Sequence, residues 1–142
     1  MVLSDSKIQY VNGFAFSHDE QKVVLIVKNR PRIFKGLKNG VGGKIEEGET
    51  ALDAIQREFF EETGVQVYNW ELFLIQEGEY YKMFCFRTTM DVSQVYTKTD
   101  EEVVVNDINK LEGVIPNLEW MIPMALDKEV QLAQVSIKDE KF

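Results

Sequence analysis

The sequence predicts a mixed α/β layer structure, strands interleaved with two helices in a single domain spanning residues 1–142. Three observations carry that expectation. Short runs rich in β-branched and aromatic residues recur along the chain. Two segments, after Thr50 and after Asn117, instead space apolar residues as a helix does. No linker, internal repeat or low-complexity tract divides the 142 residues, a length that suits one core.

The elements follow in order. Residues 8–16 (IQYVNGFAF) are β-formers, with Gly13 as a point of close approach, and the apolar run 23–27 (VVLIV) reads as a buried strand. The polar turn His18-Asp19-Glu20-Gln21 between them makes the pair a hairpin and leaves His18, the only histidine, solvated. Residues 28–44 (KNRPRIFKGLKNGVGGK) hold six bases, four glycines and no acid, so a loop is expected. Thr50 as N-cap, with Asp53 three residues on, forms an approximate capping box. Ala51, Leu52, Ala54, Ile55 and Phe59 then give helix formers and an apolar stripe, and Gly64 stands where a left-handed end is needed.

Residues 67–76 (VYNWELFLIQ) and 80–88 (YYKMFCFRT) read as strands joined through Glu77-Gly78-Glu79. Cys85 is expected as an inert core thiol. After the polar stretch 91–100, residues 101–108 (EEVVVNDI) form another strand, with Glu101 and Glu102 at its entrance. Asn117 is expected to cap a second helix, 118–126 (LEWMIPMAL), which Pro123 should kink or end early. Its Leu118, Met121, Ile122 and Ala125 face the core, and Trp120 is open between stacking on a base and anchoring the helix. Alternating Val130, Leu132, Val135 and Ile137 suggest an edge strand before a frayed end.

A net charge of −8 argues against a nucleic-acid polymer or a membrane surface as partner. No apolar run reaches the length of a membrane span, and the start MVLSDSKIQY has no secretory pattern. One cysteine excludes an internal disulfide, so a cytoplasmic location is expected. Oligomeric state stays open between monomer and homodimer.

The first helix breaks two local rules. Glu58, Glu61 and Glu62 share one face at i, i+3, i+4 spacing, where like charges repel. They also lie at the C-terminal end, where the helix dipole disfavours anions. Such contradictions mark functional sites, and a bound cation would resolve this one. The basic glycine-rich run 28–44 lies directly before it, and residues 46–62 hold seven acids against one base, Arg57. Cations and glycine amides attract phosphate, so the juxtaposition suits polyphosphate and a divalent ion held together.

The spacing is specific. Gly43 is followed after five residues by Glu49, then after seven by Arg57-Glu58 and apolar Phe59. Glu61-Glu62 come one residue later, then, after one more, Gly64 and apolar Val65. This pattern resembles the signature box of the Nudix hydrolases with no position missing. Seven fixed positions, each matched by chance about 5–7% of the time, coincide in fewer than about one random chain in a million.

The resemblance implies an α/β/α sandwich around a mixed sheet and a Mg²⁺-dependent pyrophosphohydrolase, with Mn²⁺ as the alternative ion. Its substrate would be a small nucleotide, a nucleoside diphosphate linked to another group. It further implies Glu58, Glu61 and Glu62 as metal ligands, joined by the carbonyl of Gly42. Glu58 or a downstream glutamate, Glu102 or Glu101, would act as base. Arg57 and Glu49 would brace the box, while Arg30, Arg32, Lys44 and Trp120 are candidates for substrate binding. Val41 stands where many members have proline; the run Asn-Gly-Val-Gly-Gly-Lys resembles enzymes that clear oxidised nucleoside triphosphates. Two rivals remain: an ADP-ribose or dinucleoside polyphosphate hydrolase, and a module that senses nucleotides without cutting them.

Overall fold

The computed structural model describes residues 7–138. The frayed end expected after Ile137 falls on residues 139–142, outside the described residues.

The chain runs β1 (Ile8–Phe16), β2 (Lys22–Val27), β3 (Lys38–Asn39), β4 (Val41–Lys44), α1 (Ala51–Thr63), β5 (Glu71–Glu77), β6 (Tyr81–Thr89), β7 (Val103–Asp107), α2 (Leu118–Leu126) and β8 (Ala133–Ser136). The strands form one mixed sheet in the order β3-β2-β1-β6-β5-β8, with β4 added on β1 and β7 on β2. The expected hairpin is present, with Ala15 opposite Val24 and Phe16 opposite Val23.

β1 is the strand on which the sheet is built. One edge pairs in parallel with β6, from Ile8 opposite Tyr81 to Phe16 opposite Thr89. The other edge is shared between two antiparallel partners. Tyr10 to Gly13 pair with β4, and Ala15 and Phe16 pair with β2. The loop expected across residues 28–44 holds for residues 28–37, but residues 38–44 form β3 and β4 instead. Gly42 and Gly43 do not keep the backbone irregular; they let it lie flat on β1. A Cβ on Gly42 would stand 1.9 Å from the Val11 carbonyl oxygen.

Alternation along the strands splits the core in two. Val11, Ala15, Val24 and Ile26 pack under α1 with Ala54, Ile55 and Phe59. Phe14, Phe16, Val23 and Leu25 pack under α2 with Leu118, Met121, Ile122 and Ala125. One helix therefore covers each face, the expected sandwich. A β-bulge between Leu72 and Leu74 lets the consecutive Phe73 and Leu74 both enter the α2 core.

Several boundaries move. Residues 67–70 are not strand, because Trp70 donates its indole N–H to the Val67 carbonyl at 3.1 Å and packs edge-on against Phe59. β7 begins at Val103, so Glu101 and Glu102 lie in the preceding loop. Asn117 makes no capping hydrogen bond. Pro123 does not end α2, which continues to Leu126. The proline ring removes only the donor to the carbonyl of exposed Glu119, which water can serve, while four buried side chains hold the helix down. Among the described residues, no helix is long and apolar enough to cross a membrane.

Candidate active site

The register of α1 is pinned at both ends. The Asp53 N–H donates to Thr50 Oγ1 at 3.0 Å and the Thr50 N–H to Asp53 Oδ2 at 3.4 Å. Gly64 closes the helix at φ 78°. Buried Ala54, Ile55, Phe59 and Thr63 hold one stripe on the sheet, which turns Arg57, Glu58, Glu61 and Glu62 to the rim.

Arg57 gathers the first half of the carboxylates. Its Nε and Nη2 donate to the two Glu49 oxygens at 2.5 and 3.0 Å, a bidentate fork. Nη1 donates to Glu58 Oε2 at 3.1 Å and to Glu61 Oε1 at 3.2 Å. Nη2 also donates to the Lys44 carbonyl at 3.1 Å, tying α1 to the end of β4. Arg57 holds the Glu49 carboxyl below its ordinary range, and Glu49 in turn raises the guanidinium further.

Glu58 lies against Gly43, where a Cβ would stand 2.3 Å from Glu58 Oε2. Its side chain is 15% exposed. Burial pushes its carboxyl up to about 6 despite Arg57, and the charges on Glu61 and Glu62 add to the shift.

Glu62 turns toward the loop before β7. Thr99 Oγ1 donates to Glu62 Oε2 at 2.7 Å and accepts from the Glu101 N–H at 3.1 Å. Burial raises the Glu62 carboxyl, opposed by the Thr99 hydroxyl; the Glu101 charge raises it further and Lys28 lowers it. Glu101, its side chain 8% exposed, accepts from the Asn29 N–H at 2.6 Å. Lys28 Nζ stands 3.5 Å from its other oxygen. Of the two entrance glutamates, Glu101 is thus brought to the helix. Glu102 is exposed, and its carbonyl accepts from the Val27 N–H at 2.8 Å.

The remaining candidates spread out. Gly42 lies in β4 opposite Asn12. Arg30 is exposed and pairs with Asp100 at 3.3 Å, one residue from Glu101. Arg32 and Lys44 are exposed. Trp120 is partly buried against the α2 core, on the face of the sheet opposite α1. His18 is exposed in its turn; Cys85 is buried and its thiol pushed up. The sequence did not single out Asn29, Thr99 or Lys28. Asn29 acts through a backbone N–H and Thr99 lies in an unpatterned polar stretch, so neither carries a signal; Lys28 was visible only as one base among six.

The NUDIX domain model matches residues 9–141. The chain belongs to the Nudix family. It is 32% identical over 117 residues to the uncharacterized Nudix hydrolase YvcI of Bacillus subtilis strain 168, covering 75% of this chain and 71% of that one. The crystal structure of the mutator MutT protein from Bacillus halodurans has the same fold, with TM-score 0.72 and 24% identity, covering 92% of this chain and 90% of that one. So does the NUDIX domain of Shewanella oneidensis NrtR, solved with ADP ribose, with TM-score 0.70 and 21% identity, covering 84% and 86%. As a Nudix hydrolase the protein acts on phosphoric anhydride bonds.

Nudix hydrolases generally use divalent metal ions. Among the described residues no three of these carboxylates converge, in this arrangement, closely enough to enclose an ion. Arg57 holds one half of the set, and Thr99, Asn29 and Lys28 hold the other. The donor chemistry nevertheless fits a hard cation, being all oxygen. Gly43 leaves room beside Glu58 that a side chain would fill, and the partly buried Glu58 and Glu62 carboxyls are pushed up, a burden that a nearby positive charge would relieve.

Proposed function

We propose that the protein is a Mg²⁺-dependent pyrophosphohydrolase for a nucleoside diphosphate linked to another group. The substrate we favour is a (deoxy)nucleoside triphosphate, oxidised forms included, cleaved to the monophosphate and pyrophosphate. The observation that carries this reading is the single helix face bearing Glu58, Glu61 and Glu62. Arg57 and Glu49 brace it, and Glu101 stands opposite on Thr99.

Glu58, Glu61 and Glu62 would hold the metal, with the Gly42 carbonyl beside them. Bound there, Mg²⁺ supplies neutralisation of phosphoryl charge and a more acidic water. The chain's own residues do the rest. Glu58 or Glu101 takes a proton from the attacking water as its oxygen bonds to phosphorus. The anhydride P–O bond breaks to give monophosphate and pyrophosphate, whose charge Arg30, Arg32 and Lys44 of the basic segment would meet. Arg57 keeps the carboxylates in register, with Glu49 holding it in place.

A second reading has support of its own: a Nudix domain of the same fold binds ADP ribose. A purely sensing module is disfavoured because every box glutamate is present. The test is Glu58→Gln. Turnover with Mg²⁺ should fall by about two orders of magnitude or more with the fold intact by circular dichroism. Near-normal turnover would sink the assignment. Phosphate release after added pyrophosphatase, across normal and oxidised dNTPs, ADP-ribose, NADH and diadenosine polyphosphates, separates the substrate readings.

A further inference from the structure

Lys28 is a partly buried base that the mechanism above does not use. Its side chain is 20% exposed, and it faces Glu101, which is more buried still. The backbone around it is fixed: its N–H donates to the Leu37 carbonyl at 2.8 Å, and its carbonyl accepts from Gly36 at 2.8 Å. The ammonium therefore reaches Glu101 from a rigid strand end. Glu101 Oε2 is already taken by the Asn29 N–H, which leaves Oε1 for Lys28.

The pairing is loose. At 3.5 Å it is longer than a well-made N–H···O bond, which falls at about 2.7–3.2 Å. Its charge also acts on Glu62, the next carboxylate along. Buried Glu101 and partly buried Glu62, on different elements, thus lie near one ammonium that touches only Glu101, while Thr99 ties the Glu62 carboxylate to the Glu101 backbone N–H. A divalent ion and an ammonium cannot share that space without strong repulsion.

We propose that Lys28 is a built-in stand-in for the divalent ion: its ammonium holds the Glu62–Glu101 pair in the metal-free protein and gives way when metal enters. The proposal rests on the metal-binding reading of the site given above. It assigns Lys28 a cost as well as a use. The lysine offsets the negative charge of Glu101 and Glu62, and the same positive charge opposes an ion bound beside Glu62.

The test is Mn²⁺ binding without nucleotide, followed by electron paramagnetic resonance of the free ion, in wild type, Lys28→Met and Lys28→Arg. Lys28→Met should bind Mn²⁺ on the order of tenfold more tightly, as removal of one competing unit charge predicts, while Lys28→Arg stays near wild type. Melting temperature gives an independent readout. Metal-free Lys28→Met should melt below wild type, and saturating Mn²⁺ should close that gap. Unchanged or weaker Mn²⁺ binding, or an equal melting deficit with and without Mn²⁺, would overturn the proposal and leave Lys28 a structural ion pair. If Lys28→Met does not fold, Lys28→Gln carries the same test with a polar side chain of similar length. Wild-type protein that takes up no Mn²⁺ at all would sink the metal-site reading itself, an outcome distinct from failure of the variant to tighten.

Discussion

At the residue scale, Glu58 couples stability to pH. Its carboxyl titrates near 6 in the folded chain, above its ordinary 4.5, chiefly because it is buried. The folded state therefore holds this proton more tightly than the unfolded chain. Above pH 6 the charged group costs stability; as pH falls through 6 the cost fades, and it is gone below about 4.5. Metal-free Glu58→Gln should accordingly melt above wild type at pH 7.5, and the difference should shrink by pH 5. A thermal melt at both pH values checks this. A constant difference would mean that lost contacts with Arg57, not proton linkage, set the effect. The same group thus burdens the fold at neutral pH and serves the chemistry.

At the element scale, neighbouring glycines of β4 face different obstacles. A Cβ at Gly42 would meet the Val11 backbone, which cannot swing aside. A Cβ at Gly43 would meet the end of the Glu58 side chain, which can. Gly42→Ala should therefore cost stability, about 1–3 kcal/mol in urea unfolding, by prying β4 from β1. Gly43→Ala should fold nearly as well but lose Mn²⁺ affinity and turnover, because the carboxylate is displaced; equal urea midpoints with unequal kcat would bear this out. α1 was legible in the sequence because its signals are local: Thr50 and Asp53 at one end, Gly64 at the other, and an apolar stripe between. β4 was not, because in VGGK only Val41 favours a strand; it becomes one only where β1 offers an edge. The choice between Glu101 and Glu102 was equally hidden. It is made by Thr99 and Asn29, which reach Glu101 from loops that sequence patterning does not order.

At the scale of the whole molecule, the sheet separates two tasks. The carboxylates gather at the end of α1, and α2 packs its own apolar set on the other face. Ile122→Ala should therefore cost about 2–5 kcal/mol of stability without shifting Mn²⁺ affinity. Urea unfolding and Mn²⁺ titration of the same preparation would show it; a weakened affinity would mean that the faces are coupled. The layered class was readable from the succession of strands and helices, whereas the path of the sheet was not, since β1 finds its parallel partner far along the chain. That distance governs how the protein must be born. On the ribosome the glutamate-bearing helix needs only local contacts to start winding, yet Ile8 waits for Tyr81 to be synthesised before one flank of the first strand is covered. A nascent chain stalled between them presents a bare, largely apolar ribbon, the interval in which a chaperone is most needed.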